Sequence, residues 1–242
     1  MSNGLARMTA RSVVLSVLLG AHPAWATAAE LIRLTADFGI NENALRVALT
    51  RMVAGGDLIR SADGYRLSDR LLVRQRRQDD ALAPPVLAWD RHWTTLVITS
   101  VGIDAKTRAS LRKTLQESRF GELREGVWLR PANLPLDLRG EIGARVRVLR
   151  SYDDAPAELA GRLWDLTGWA TTGRRLLDEM ARADGMPGRF IAAAGMVRHL
   201  LTDPVLPPEL SPAGWPGDEL RLSYTEFAAE LADRRNHTEV EA

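Results

Sequence analysis

Five side chains between Asn43 and Arg51 carry the strongest chemical signal in this 242-residue chain. Asn43, Val47 and Thr50 recur at spacings of four and three, so a helix lines them on one face, with Arg46 and Arg51 on its flanks. Asparagine and arginine form paired hydrogen bonds with base edges, and a valine methyl packs against the methyl of thymine. Such a face can read the major groove of DNA. Arg60 and Arg66 are both expected to point out of a β-ribbon, where guanidinium groups meet phosphates or the minor groove. The plainer reading of both features is a solvated helix face and a solvated strand edge. The surrounding elements decide between the two.

Those elements read helix, tight turn, helix and ribbon. A first helix over 9–20 buries Val13, Val14, Val17 and Leu18 and stops at His22-Pro23. Thr27, with Glu30 three residues on, forms a capping box for a second helix whose inner face is Leu31, Leu34, Thr35 and Phe38. Gly39 supplies a left-handed turn and Asn41 caps the third helix, whose inner face is Leu45, Ala48, Leu49 and Met52. Gly55-Gly56 ends it. Leu58-Ile59-Arg60 and Tyr65-Arg66-Leu67 then alternate around Asp63-Gly64, a hairpin signal. This order is a winged helix-turn-helix, and in that context DNA contact is the preferred role of the outer face.

Other chemistries find little support. The sequence contains no G-x-S-x-G, phosphate-binding loop or dinucleotide fingerprint, and no cysteine. His22, His92, His199 and His237 stand far apart, so no metal site and no cofactor is expected. Asp90, before the first strand of the middle region, is a lone carboxylate that reads more simply as a turn cap. The chain is expected not to be an enzyme, and to be cytoplasmic. Arg7, Arg11 and the run from Val13 to Ala21 imitate a secretory signal ending near Ala24-Trp25-Ala26. Cleavage there would remove the helix on which the reader packs.

Charge is balanced overall at +1, yet unevenly spread. The first 80 residues carry 11 Arg against 8 acidic groups, and residues 156–242 carry 9 Arg against 14. The basic excess lies with the reader and the acidic end would repel DNA. An α+β chain of four parts is expected. These are 1–68, the DNA-binding winged helix-turn-helix; 69–86, a charged helical linker capped by Ser68 and stopped at Pro84-Pro85; 87–153, a β-α-β-β-α-β ferredoxin-like middle domain; and 154–242, a helical C-terminal domain. In the middle domain, strands are expected over Trp93–Thr99, Gly126–Leu129 and Val146–Leu149. The helices are expected over Asp104–Glu117 and Leu134–Ile142. The C-terminal helices are expected near 156–166, 170–183, 188–201 and 217–234, with a proline-rich turn from Asp203 to Leu210. Two folded regions beyond the reader suit a ligand-controlled switch.

Taken together these residues resemble the PaaX-like family of bacterial transcriptional repressors, named for the regulator of phenylacetic acid degradation. The resemblance rests on Ala10-Arg11-Ser12-Val13-Val14-Leu15, Phe38-Gly39-Ile40 and Ala44 through Val53. In the middle it rests on Trp89-Asp90, Leu111-Arg112, Phe120-Gly121 and Gly126-Val127-Trp128-Leu129-Arg130-Pro131. It extends to Asp203-Pro204-Val205-Leu206-Pro207 and Trp215-Pro216-Gly217. The family implies a Cas2-like middle domain. It also implies a homodimer on an inverted-repeat operator of double-stranded DNA, repression of a catabolic operon, and release by an aryl-acyl-CoA thioester. Trp164, Trp169 and Trp215 are the effector-binding candidates, as the lining of one apolar cleft; large aromatics in helices also serve simply as core. The alanine-rich stretch Phe190–His199 departs from the family pattern and leaves the effector's identity open. A Cas2-like metal-dependent nucleic-acid-processing protein is the alternative.

Overall fold

The computed structural model describes residues 8–100, 102–138 and 141–236, with the side chains of 141, 142 and 236 excluded. Arg7 and His237 lie outside the described residues. The chain divides into two compact units. One comprises residues 1–79, 178–197 and 222–242; the other comprises 80–177 and 198–221. Residues of the C-terminal helices are thus shared between the two.

In the first unit, α1 (Ala10–Gly20), α2 (Ala28–Ala36) and α3 (Glu42–Ala54) precede the hairpin β2 (Leu58–Arg60) and β3 (Tyr65–Leu67). Their core is Val13, Val14, Leu18, Leu31, Leu45, Leu49, Met52 and Leu67, all nearly or fully buried. Thr9 caps α1, Asn41 caps α3, and Thr27 with Glu30 closes the capping box of α2 through bonds of 3.1 and 2.6 Å. Gly39 has φ +67°.

A short strand β1 (Trp25–Ala26), absent from the sequence reading, pairs with β3 and makes the sheet three-stranded in the order β1-β3-β2. Its closeness explains Gly64: a Cβ there would lie 2.3 Å from the Ala26 carbonyl oxygen. This glycine is required by close approach of another backbone, and the hairpin loop itself spans four residues, Ser61 to Gly64.

Helix α4 (Asp69–Leu82) begins where expected, but the Ser68 hydroxyl makes no cap and has no partner among the described residues. The helix is also more than a solvated connector. Its buried Gln75 donates to the carbonyl oxygens of Leu19 and Ala21 at 3.1 and 2.8 Å, satisfying groups that α1 leaves open at its end.

The second unit is built on β4 (Trp93–Ile98), α5 (Ala105–Glu117), β5 (Gly121–Arg124), β6 (Val127–Pro131), α6 (Glu141–Arg145) and β7 (Val146–Ser151). The antiparallel sheet runs β5-β6-β4-β7, the order of a ferredoxin-like sandwich. Its second helix is only five residues and starts seven residues later than expected, because Pro135 and the chain before it run without regular structure.

Strand alternation splits the sheet into two apolar faces. Leu96, Trp128 and Val146 pack with Leu111, Leu115 and Phe120 on one side. Trp93 and Leu129 pack with Leu159, Ala160, Leu206 and Leu210 on the other. The second face is covered by α7 (Pro156–Leu163) and by the Asp203–Leu210 turn. Helices α8 (Leu166–Arg182), α9 (Gly185–Leu200) and α10 (Gly217–Asn236) complete the four expected C-terminal helices.

Candidate functional site

Asn41 starts α3, and the buried row Leu45, Leu49 and Met52 orients the helix. Asn43, Arg46, Val47, Thr50 and Arg51 consequently lie on its exposed side. Val47 is 51% exposed, unusual for a large apolar residue flanked by polar ones. Arg46 is paired with Glu42 one turn earlier, the favourable order of charges along a helix. The Thr50 hydroxyl donates to the Arg46 carbonyl at 3.0 Å, leaving its lone pairs outward. The face is therefore polar, cationic and provided with one apolar contact.

Arg60 and Arg66 are both exposed. The register pairs Arg60 with Tyr65 and Arg66 with Ile59, so the two arginines leave the ribbon from opposite faces. Both point out of the ribbon as expected, but on opposite faces they do not form one patch.

A residue that the sequence reading passed over holds this unit in place. Asp57, buried between α3 and β2, receives Arg11 from α1 at 2.8 Å and Arg70 from α4 at 2.5 Å. Its position directly after Gly55-Gly56 resembles a turn aspartate, so only the fold reveals its two partners.

On α10, Arg235 donates to Glu30 and to the Trp25 carbonyl, both at 2.7 Å, and Arg234 lies 3.5 Å from Asp37. Burial would raise the Glu30 pKa; the bonds from Arg235 and Thr27 outweigh it and hold the carboxyl below its usual value. Phe38 packs edge-on to Phe190 at 5.0 Å, and Phe190 lies 6.1 Å from Phe227. The alanine-rich stretch is thus packed interior: Ala192, Ala193, Met196 and Val197 are buried with Phe190.

Of the three tryptophans expected in one cleft, Trp169 and Trp215 stack on each other, whereas Trp164 packs on Trp93. Trp164 closes α7 in extended conformation and stacks on Trp93. Trp169, one turn into α8, is sandwiched between His199 at 4.2 Å and Trp215 at 4.3 Å. Burial lowers the pKa of His199, whose Nε2 donates to the Trp169 carbonyl at 2.9 Å.

Trp164 instead lines a cavity of about 500 Å³ together with Arg112, Arg119, Glu122, Leu163 and Thr202. Trp169 and Trp215 do not line it. A neighbouring cavity of about 620 Å³ is lined by Arg108, Arg112, Glu122, Arg124, Glu125 and Trp128, among others. None of these cavity arginines was singled out as a site residue from sequence, although Leu111-Arg112 belongs to the family pattern; Arg108 and Arg112 lie on α5, Arg119 follows it and Arg124 ends β5.

Asp90 is exposed and engaged: it accepts from the His92 backbone at 3.2 Å and pairs with Arg150 at 2.9 Å. No group of three metal-ligating side chains occurs among the described residues. No described helix is long and apolar enough to cross a membrane.

Comparison with known proteins gives concordant matches. Residues 9–71 match the family model for PaaX-like protein, and residues 87–150 match that for the PaaX protein central Cas2-like domain. The transcriptional repressor PaaX of Escherichia coli (strain K12) is 28% identical over 221 residues, covering 79% of this chain and 69% of that protein. The solved structure of an uncharacterized protein from Mycobacterium tuberculosis is 66% identical. It superposes with a TM-score of 0.87 over 96% of this chain and 99% of its own.

Proposed function

The chain belongs to the PaaX-like family, and from that premise we propose that it is a DNA-binding transcriptional repressor of a catabolic operon, not an enzyme, acting in the cytoplasm. In this reading α1, α2, α3 and the β2–β3 hairpin work as a winged helix-turn-helix, and α3 enters the major groove. Asn43, Arg46, Val47, Thr50 and Arg51 contact the bases and adjoining phosphates, and Arg60 and Arg66 contact the backbone from the hairpin. The observation that carries the reading is the exposed row on α3, lying within the stretch that the PaaX-like model matches. On binding, Arg46 exchanges Glu42 for DNA, so the pair seen in the free protein costs little to break.

The repressor acts as a homodimer on an inverted repeat, since one reader spans too few base pairs to define a unique site. A small-molecule effector, of the aryl-acyl-CoA class implied by the family, releases it by binding the DNA-free state more tightly than the DNA-bound state. Asp90 gives the nucleic-acid-processing alternative no support, since its oxygens are engaged by His92 and Arg150.

The test is a mobility-shift titration with DNA flanking the protein's own gene. Wild-type protein binds a discrete segment; Arg46→Ala and Arg51→Ala each weaken binding by roughly 5- to 150-fold, the range of one lost bidentate contact. Equal affinity for all three proteins overturns the assignment of α3 as the reading element.

A further inference from the structure

Glu42 is the only acidic residue of α3, and it stands on the face proposed to meet DNA. Glu42, Arg46 and Thr50 follow one another at four-residue steps along one exposed row. Two bonds fix that row. The Arg46 Nε donates to Glu42 Oε1 at 2.8 Å, and the Thr50 hydroxyl donates to the Arg46 carbonyl at 3.0 Å. The Arg46 Nη2 also donates to Oε1, so the second carboxylate oxygen, Oε2, has no partner among the described residues.

A carboxylate turned toward a polyanion is unfavourable, and the fold gives this one little else to do. Asn41 already caps α3, its side chain accepting from the Ala44 backbone at 2.8 Å, and Ala44 at the third helical position leaves no capping box. The ion pair with Arg46 is exposed at both ends and adds little to stability. When Arg46 turns to DNA, Glu42 loses its cation and keeps its charge. A carboxylate only accepts hydrogen bonds, and in the major groove only the N4 amino group of cytosine and the N6 amino group of adenine donate. The adenine amino group is flanked by acceptors on both sides, N7 and the O4 of thymine. That of cytosine has an acceptor, the O6 of guanine, on one side only. Cytosine is therefore the base that suits Glu42.

We propose that Glu42 is a specificity-determining residue of the reader: it accepts from the N4 amino group of a cytosine and rejects DNA that lacks one at that place. Four residues of helix span about 6 Å, and base pairs rise roughly 3.4 Å per step. The cytosine thus lies within about two base pairs of the base that Arg46 contacts. On other sequences the carboxylate meets phosphates and base acceptors with no donor, so Glu42 weakens binding to wrong sites as well as selecting the right one. This role rests on α3 being the reading helix. It adds a base that the arginines of α3, which only donate, cannot select.

The test selects binding sequences from a randomised duplex library with full-length wild-type protein, Glu42→Ala, Glu42→Gln and Arg46→Ala. Each protein is then titrated with the wild-type consensus and with an unrelated duplex. Wild type is expected to prefer one cytosine roughly tenfold over any other base, within about two base pairs of the position whose preference Arg46→Ala loses. Glu42→Ala loses the cytosine preference alone, keeps the base read by Arg46, and binds the unrelated duplex more tightly. Glu42→Gln keeps the shape of the side chain and shifts the preference toward adenine, with which an amide forms paired hydrogen bonds. Melting curves verify that each variant is folded. An unchanged consensus in both Glu42 variants overturns the role. So does loss in Glu42→Ala of the same base that Arg46→Ala loses, which would make Glu42 a support for Arg46 alone. Both results leave α3 as the reading helix. Absence of any enriched sequence with wild-type protein overturns the DNA reading itself, and this role with it.

Discussion

At the residue scale, the informative side chains are buried charges and their partners. Asp57 is nearly inaccessible, whereas Arg11 and Arg70 are largely exposed. Removing the carboxylate strands neither arginine, since water reaches both. It does remove the acceptor that ties α1 and α4 to the start of β2. Asp57→Asn is therefore expected to cost about 1–3 kcal/mol in denaturant unfolding, and Arg11→Ala or Arg70→Ala less than about 1 kcal/mol each. Equal costs for all three would contradict this.

His199 gives a pH dependence. Burial lowers its pKa, so below the ordinary imidazole value of about 6.5 the unfolded chain takes up a proton that the folded state resists. Stability present at pH 7 thus falls as the pH drops through that range. The melting temperature of wild-type protein is expected to decline between pH 7 and 5.5, and that of His199→Gln to decline less. Arg130 shows the opposite economy: burial pushes its pKa down to about 10, yet it stays charged because the carbonyl oxygens of Ser118, Leu134 and Pro135 accept its protons.

At the scale of elements, α2 is held by more than the core beneath it. Arg235 from α10 ties down Glu30 and the Trp25 carbonyl, and Glu30 in turn completes the cap of α2. One side chain thus supports the end of the helix, the strand β1 and the capping box. Arg235→Ala is expected to lower stability by about 1–3 kcal/mol and to speed amide exchange selectively in the first turn of α2. Arg235→Lys restores little, because lysine cannot serve both acceptors with one planar group. Exchange rates in α2 that match wild type would show that the cap stands without α10.

At the scale of the whole molecule, charge and assembly lead to two expectations. The first 80 residues carry a basic excess, which favours a polyanionic partner. Operator affinity is expected to fall steeply between about 50 and 200 mM salt, by several powers of ten if six or more phosphates are contacted. A flat salt response would remove the DNA reading. Sedimentation is expected to show a homodimer both free and on DNA, with half-sites about 10 base pairs or a multiple apart. A monomer in both states would remove the inverted-repeat reading.

The sequence alone was enough to place α1 to α3, the caps of α2 and α3 and the hairpin, because each rests on local rules. Thr27 and Glu30 cap within one turn, Gly39 alone tolerates φ +67° at no cost, and the 3.6-residue period of Leu45, Leu49 and Met52 leaves Asn43, Arg46, Val47, Thr50 and Arg51 outside. The β-α-β-β-α-β order was named, with three of its strands located, but β5 was not placed and α6 was expected too early. Tertiary structure decided what depends on partners distant in sequence. The strand β1 exists because β3 offers an edge, and Gly64 is small because Ala26 passes over it. Asp57 meets Arg11 across 46 residues, and Glu30 meets Arg235 across 205. The different ring partners of Trp164 and Trp169, and the placing of Arg108, Arg112 and Arg124 with Trp128 around one cavity, follow from where the elements pack. Side-chain periodicity reports which face of an element is buried, but not which other element buries it.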